Sequence, residues 1–164
     1  MIRHFSTQIC RLSSIVHRMS SATVADLKRI DADDLSTLLV SPSASTVAVV
    51  DVRDDDHVGG HIKDSIHAPT PSLDYRIPEL VRKLAEKEKV VFHCALSQQR
   101  GPSAAMRYLR ERQQKVEKGD LPDENKTGQQ VYVLDRGFVG WQKKFGKDER
   151  LTEDYAADIW EDYD

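Results

Sequence analysis

Short apolar runs alternate with amphipathic stretches between residues 31 and 145. Leu35, Leu38 and Leu39 share one face behind Asp31, which can cap a short helix that Ser41-Pro42-Ser43 then breaks. Val47-Ala48-Val49-Val50-Asp51-Val52 is nearly all apolar and rich in β-branched residues, the pattern of a strand buried on both faces. An acidic loop with a glycine pair follows, Arg53 to Gly60. Ile77, Leu80, Val81 and Leu84 repeat at helical spacing, with Pro78 expected near the first turn. Val90-Val91-Phe92 predicts a second buried strand. Gly101 to about Lys115, with Ala104, Ala105, Tyr108 and Leu109 on one face, predicts a helix. Glu117 to Gln130 is polar and reads as a long exposed loop. Val131-Tyr132-Val133-Leu134 is a third strand, followed by a helical stretch from Gly137 to Phe145. Strands separated by helices imply βαβ units, hence an α/β fold with a central parallel sheet covered on both faces.

The chain has 164 residues, 39% hydrophobic and 31% charged, which suits one domain with a real core and a polar surface. No run approaches 20 apolar residues, so no membrane span is expected. Two cysteines, Cys10 and Cys94, are too few for a disulfide scaffold. A net charge of −3 gives no electrostatic footprint for nucleic acid. The charge is uneven, however. The first 25 residues carry Arg3, Arg11 and Arg18 and no acid, and Ile2, Phe5, Ile9, Leu12 and Val16 fall at helical spacing. These are traits of a mitochondrial presequence and predict the matrix; a start at Met19 predicts cytoplasm and nucleus instead. From Asp148 to Asp164 there are eight acids and Arg150, an acidic tail in which Tyr155, Ile159 and Trp160 either form a docking helix or fray. The expected division is therefore an extension over 1–20, a catalytic domain over 21–147 and a tail over 148–164.

The segment from His93 to Pro102 concentrates the candidate chemistry. It begins at the end of a buried strand and ends at a helix start, and ligands of open parallel sheets bind at the carboxyl ends of strands. With five residues between them, Cys94 and Arg100 frame a loop whose N–H groups can turn inward. Ala95, Leu96, Ser97, Gln98 and Gln99 then form an anion cradle reinforced by the helix start. Arg100 can hold two oxygens of a tetrahedral oxyanion, and such positive surroundings favour a thiolate at Cys94. A thiolate aimed at a bound phosphate is a nucleophile for phosphoryl transfer.

His93-Cys94-x5-Arg100-Gly101-Pro102 resembles the active-site loop of the dual-specificity phosphatases that activate cyclin-dependent kinases, and that of the related eukaryotic arsenate reductases. Both groups use the rhodanese fold. Val49-Val50-Asp51-Val52-Arg53, Gly59-Gly60-His61-Ile62 with Ile66-His67-Ala68, and Val131 to Trp141 resemble further landmarks of that fold. The resemblance runs from about Ile30 to Phe145. It implies a protein phosphatase working through a phosphocysteine at Cys94, with a phosphoprotein as substrate. The same cysteine in an arsenate reductase would act on arsenate with glutathione or a glutaredoxin. The fold also accommodates a thiosulfate sulfurtransferase or a non-catalytic binding module. The sulfurtransferases resemble this chain but carry a loop one residue shorter, suited to a sulfane sulfur. Binding modules usually lose the cysteine or the arginine.

Two departures from the family pattern matter. Some phosphatases of the group have a second cysteine where this chain has Val52, so no internal disulfide partner is expected for Cys94, and any reductant is an external thiol. Related loops often hold a Glu, but no acid lies between Cys94 and Arg100 here. Asp54, Asp55 and Asp56 are then the candidates for a general acid, unless the substrate's own phosphate proton serves. Asp51 is expected to pair with Arg53, His93 to support the loop through a buried hydrogen bond, and Ser97 to donate to the thiolate. His57, His61 and His67 have no cysteine at metal-site spacing, so neither a metal nor another cofactor is expected, and the chain is expected to be a monomer.

Overall fold

The computed structural model of the protein describes residues 23–122 and 128–163; the expectations for residues 1–20, Cys10 included, lie outside them. A five-stranded sheet runs in the order β1 (Lys28–Ile30), β6 (Gln130–Leu134), β5 (Lys89–His93), β2 (Val47–Asp51) and β4 (Ile66–His67), and every pairing in it is parallel. The helices are α1 (Ala32–Val40), α2 (Leu73–Lys83), α3 (Arg100–Glu117) and α4 (Gly137–Phe145). A two-stranded antiparallel ribbon joins β3 (His61–Ile62) to β7 (Thr152–Glu153). Among the described residues no helix is long and apolar enough to cross a membrane.

The two-residue period of the strands divides the core between the sheet's faces. Val90 and Phe92 of β5 point to α2 and α3 and pack with Leu80, Val81 and Tyr108. Val91 points the other way, to the layer of Leu35, Phe138 and Trp141. All five residues of β2 are buried, which is why the run reads as apolar without alternation. At the helix starts, the Asp31 carboxylate accepts from Asp34 N–H at 2.8 Å, satisfying one of the donors that α1 leaves free. Pro102, third residue of α3, sits where a missing N–H leaves no bond unmade.

Three expectations are corrected. Pro78 is the sixth residue of α2, not part of its first turn, because the helix starts earlier, at Leu73. The polar stretch before β6 is not uniformly exposed: Gln129 is buried, its amide donating at 2.7 Å to the carbonyls of Leu84 and Lys87, and it accepts from Tyr108 Oη at 3.0 Å. The third correction concerns the acidic segment after Asp148, which is not a tail. Leu151, Thr152 and Trp160 are buried, and β7 pairs with β3. Trp160 Nε1 donates to the Gly59 carbonyl at 2.8 Å, and its ring meets Phe138 edge-on at 5.5 Å. Glu149, Asp154, Asp158 and Glu161 are exposed, while Leu151 and Trp160 join the core layer of Phe138 and Trp141.

Candidate active site

Strand β5 delivers Cys94 to the carboxyl edge at the middle of the sheet, between β2 and β6. The cysteine is 3% exposed and is a free thiol. The segments that follow the two neighbouring strands grip the chain as it leaves the sheet. Val52 N–H donates to the His93 carbonyl at 2.9 Å. The amides of Phe138 and Val139 donate to the carbonyls of Cys94 and Ala95 at 2.9 and 3.0 Å. This last contact requires glycine at 137: a Cβ there would lie 2.4 Å from both carbonyl oxygens, and the residue has φ +55°.

The loop then folds over the thiol. Ser97 is fully buried at φ +52°, a left-handed conformation uncommon outside glycine. Its N–H donates to Cys94 Sγ at 3.3 Å, and its hydroxyl accepts from Cys94 N–H at 3.5 Å. The sulfur thus has a backbone donor, and the serine hydroxyl expected to donate to it instead braces the loop. His93 is fully buried, and its Nδ1 donates to the Cys94 carbonyl at 3.2 Å. Burial pushes the His93 imidazole below its ordinary value against the pull of Asp51.

Arg100, first residue of α3, faces the acidic loop. Its Nη1 donates to Asp56 Oδ1 at 2.7 Å and to Asp54 Oδ2 at 3.1 Å, and its Nη2 donates to Asp56 Oδ2 at 2.5 Å. Asp54 is fixed in turn by Thr70 N–H at 2.7 Å, and Asp56 by Asp54 N–H at 2.9 Å. The hydrogen bonds from Arg100 hold the Asp56 carboxyl at about 2, outweighing the effect of its partial burial. The same contacts raise the arginine's value. Asp56 therefore carries no proton to donate near neutral pH. Asp54 and Asp56 both hold the arginine, and Asp55 faces solvent.

That loop has a buried anchor. Arg53 and Asp51 are both fully buried, with Nη2 2.7 Å from Oδ2 and Nε 2.9 Å from it, so the expected pair is present. The guanidinium also donates to the Gly60 carbonyl at 2.8 Å and lies 4.2 Å from the Phe138 ring centroid. Burial opposes the Asp51 charge, but His93 and Arg53 outweigh it and hold the carboxyl below its ordinary value. His57 stacks on His67 at 3.8 Å, and His67 donates to the Arg53 carbonyl at 2.8 Å. Among the described residues no group of His, Cys, Asp and Glu is placed to hold a metal.

The structure thus gathers Asp51, Asp54, Asp56, His93, Cys94, Ser97 and Arg100 at one edge of the sheet. Leu96, Gln98 and Gln99 lie at the loop's surface with exposed side chains, and Ala95 is half-buried. Sequence reasoning missed Thr70 and Arg29, which donates to the Ser97 carbonyl at 3.4 Å, and named Trp160 only as part of a docking helix or a frayed tail. Only Trp160 had a local signal, as a large aromatic residue in an otherwise acidic stretch.

A parallel sheet whose central strand runs into a cysteine loop closed by an arginine at a helix start defines a class of oxyanion-handling domains. The chain belongs to the rhodanese-like domain family, whose pattern matches residues 31–144. It is 36% identical over 157 residues to the CDC25-like phosphatase YCH1 of Saccharomyces cerevisiae, covering 87% of this chain and 99% of that one. It is 42% identical over 97 residues to arsenate reductase 2.2 of Oryza sativa, covering 58% and 69%. Among solved structures, Ygr203w, a yeast protein tyrosine phosphatase of the rhodanese family, superposes with a TM-score of 0.63 at 35% identity, over 82% of this chain and 96% of that one. The As/Sb reductase from Leishmania major superposes at 0.61 with 33% identity, over 75% and 81%.

Proposed function

We propose that the protein is a cysteine-dependent phosphatase acting on phosphorylated side chains of proteins. The observation that supports this most directly is the Cys94 sulfur, held at a strand end under the Ser97 N–H, six residues before an arginine at the start of α3. A phosphate monoanion entering the loop meets that backbone donor, the start of the 18-residue helix and the guanidinium. Arg100 exchanges part of its hold on Asp56 for the equatorial oxygens, while Asp54, tied to Thr70, keeps it in place. Cys94 Sγ then bonds to phosphorus as the bond from phosphorus to the side-chain oxygen breaks. With Asp56 ionised, the leaving oxygen takes the proton carried by the phosphate itself. Water next attacks phosphorus, the P–S bond breaks, and thiolate and inorganic phosphate are released.

Arsenate reduction is the second reading, favoured by the 42% identity over 97 residues to the rice arsenate reductase. Arsenate has the same tetrahedral shape. Cys94 is the one cysteine among the described residues, so this chemistry takes its electrons from an external thiol such as glutathione, with a glutaredoxin as partner. The full chain should be assayed on an aryl phosphate, on arsenate with glutathione and glutaredoxin, and on thiosulfate with cyanide. Aryl-phosphate turnover that disappears in Cys94→Ser is expected. Turnover of thiosulfate alone would overturn the phosphatase reading.

A further inference from the structure

A cavity of about 790 Å³ opens beside the candidate active site, between the starts of α1 and α4 and the surface of the cysteine loop. That volume lies in the range of roughly 300–1,000 Å³ typical of ligand sites. Ser97 belongs to both places. Its N–H donates to Cys94 Sγ, while its carbonyl accepts from Arg29, which lines the cavity. One residue thus separates the sulfur from the cavity wall. A peptide whose phosphorylated residue sat on Cys94 would carry its neighbours here, at about 3.3–3.6 Å of chain per residue.

The charges of the wall are not equivalent. Arg29 is paired with Asp135 at 3.3 Å, Lys144 is paired with Asp33, and the Asp31 carboxylate is engaged in capping α1. Arg136 and Lys143 remain, with no side-chain hydrogen bond or ion pair among the described residues. Arg136 is also held in an unusual place. Its backbone is left-handed at φ +58°, and its stem lies over Gly140, where a Cβ would come 2.6 Å from Arg136 Cβ. A non-glycine residue in that conformation carries a cost that the rest of the fold must offset. Here it places an arginine, with no carboxylate partner among the described residues, in the wall of the cavity that adjoins the loop. Leu96 and Val139 add apolar wall.

The geometry points to this cavity as a specificity subsite that takes an Asp or Glu side chain flanking the phosphorylated residue, through Arg136 and Lys143. The assignment deepens the phosphatase reading and rests on it for the identity of the peptide. Two unpaired cations beside a loop that receives a phosphate set a preference for acidic phosphopeptides over neutral or basic ones. The remaining cations of the wall are already neutralised by their own carboxylate partners.

The test uses the full chain carrying Cys94→Ser, which binds without turning over. Calorimetric titration with phosphotyrosine peptides flanked by Asp and Glu, by Ala, or by Lys should give about tenfold tighter binding of the acidic peptide than of the alanine peptide. The ratio should shrink as salt is raised from about 20 to about 300 mM, as expected for partly exposed charges. Arg136→Asn with Lys143→Gln should bring the ratio close to one; asparagine is chosen because it tolerates the left-handed backbone. Lys143→Glu alone should move the preference toward the lysine peptide. Equal affinities in the parent protein, failure of the peptides to bind, or a ratio that survives both variants would overturn the assignment. Hydrolysis of a small aryl phosphate by the unmodified chain is measured in parallel. Its absence would sink the phosphatase reading by itself, whereas the affinity ratio is read without turnover.

Discussion

Replacing Asp51 by Asn tests whether a buried ion pair underlies the architecture of the site. Asp51 accepts from Arg53 N–H at 3.0 Å and from Nε at 2.9 Å, and both side chains are fully buried. Removing one charge from such a pair leaves the other uncompensated, at a cost of ~3–5 kcal/mol. Asparagine keeps one oxygen for the Arg53 amide, which places the expected loss near the low end, about 3 kcal/mol. For a chain of this size the corresponding fall in melting temperature is about 6–12 °C. Urea denaturation at pH 7 measures the loss directly. The pH dependence gives an independent check. The Asp51 carboxyl is held below its ordinary value, so its contribution is fully present above about pH 4, the unfolded value, and is lost as pH falls through the folded one. His57 and His93 are also held low and withdraw stability from about pH 6.5 downward, more so in the variant, which lacks the opposing pull of Asp51, so the gap first widens between about pH 6.5 and pH 4. The measure is therefore the gap between parent and variant, which should narrow on acidification below about pH 4. A double change, Asp51→Leu with Arg53→Met, should cost less than Asp51→Asn alone, because no charge is left behind. A loss under about 1 kcal/mol at pH 7, or a gap that goes on widening below about pH 4, would refute the reasoning.

Further outcomes are expected at the site and beyond it. Asp56→Asn should bind inorganic phosphate several-fold more tightly in competition with an aryl phosphate, because Arg100 loses its bidentate partner; weaker binding would show that the carboxylate serves the anion rather than competes with it. The same variant should leave the acid limb of the pH–rate profile in place, since Asp56 titrates at about 2, and a shifted limb would restore it as a proton donor. Trp160→Ala should destabilise by ~3–5 kcal/mol, read by thermal melting, through lost packing on Phe138 and the lost bond to Gly59; a melting point within about 2 °C of the parent would return the segment to the status of a tail. Cys94→Ser should leave the fold intact by far-ultraviolet circular dichroism while abolishing aryl-phosphate hydrolysis.

The sheet was legible because three of its strands are buried on both sides, and burial writes itself into consecutive residues such as Val47 to Val50 and Val90 to Phe92. Strand β1 was not. Two of its three residues are exposed, and it exists because Lys28 to Ile30 align with Tyr132 to Leu134, a pairing no local pattern announces. The same holds for β3 with β7, two residues each. At the site, Cys94 and Arg100 were legible from spacing within one loop. The work of Asp54 and Asp56 was not, because it depends on an arginine more than forty residues away. Proton donation was the natural expectation for carboxylates near a leaving group. What changed their role is the direction in which Arg100 leaves the helix. The segment after Asp148 misled for a compositional reason. Eight acids dominate any average, whereas the pairing of β7 with β3 and the burial of Leu151 and Trp160 hold the segment to the core.

The bond from Trp160 to Gly59 spans 101 residues. Ribosomal synthesis proceeds from the amino end, so the acidic loop that orients Arg100, although made early, waits for its last brace until Trp160 has emerged. Cys94 and its cradle are complete as a sequence long before that moment. A nascent chain therefore carries its thiol for some time without the closure that the finished protein gives the neighbouring loop. Long-range closure of this kind also slows folding relative to a domain whose contacts are local. Assembly of the arginine's surroundings is in this sense a late event, set by a residue that touches neither substrate nor sulfur.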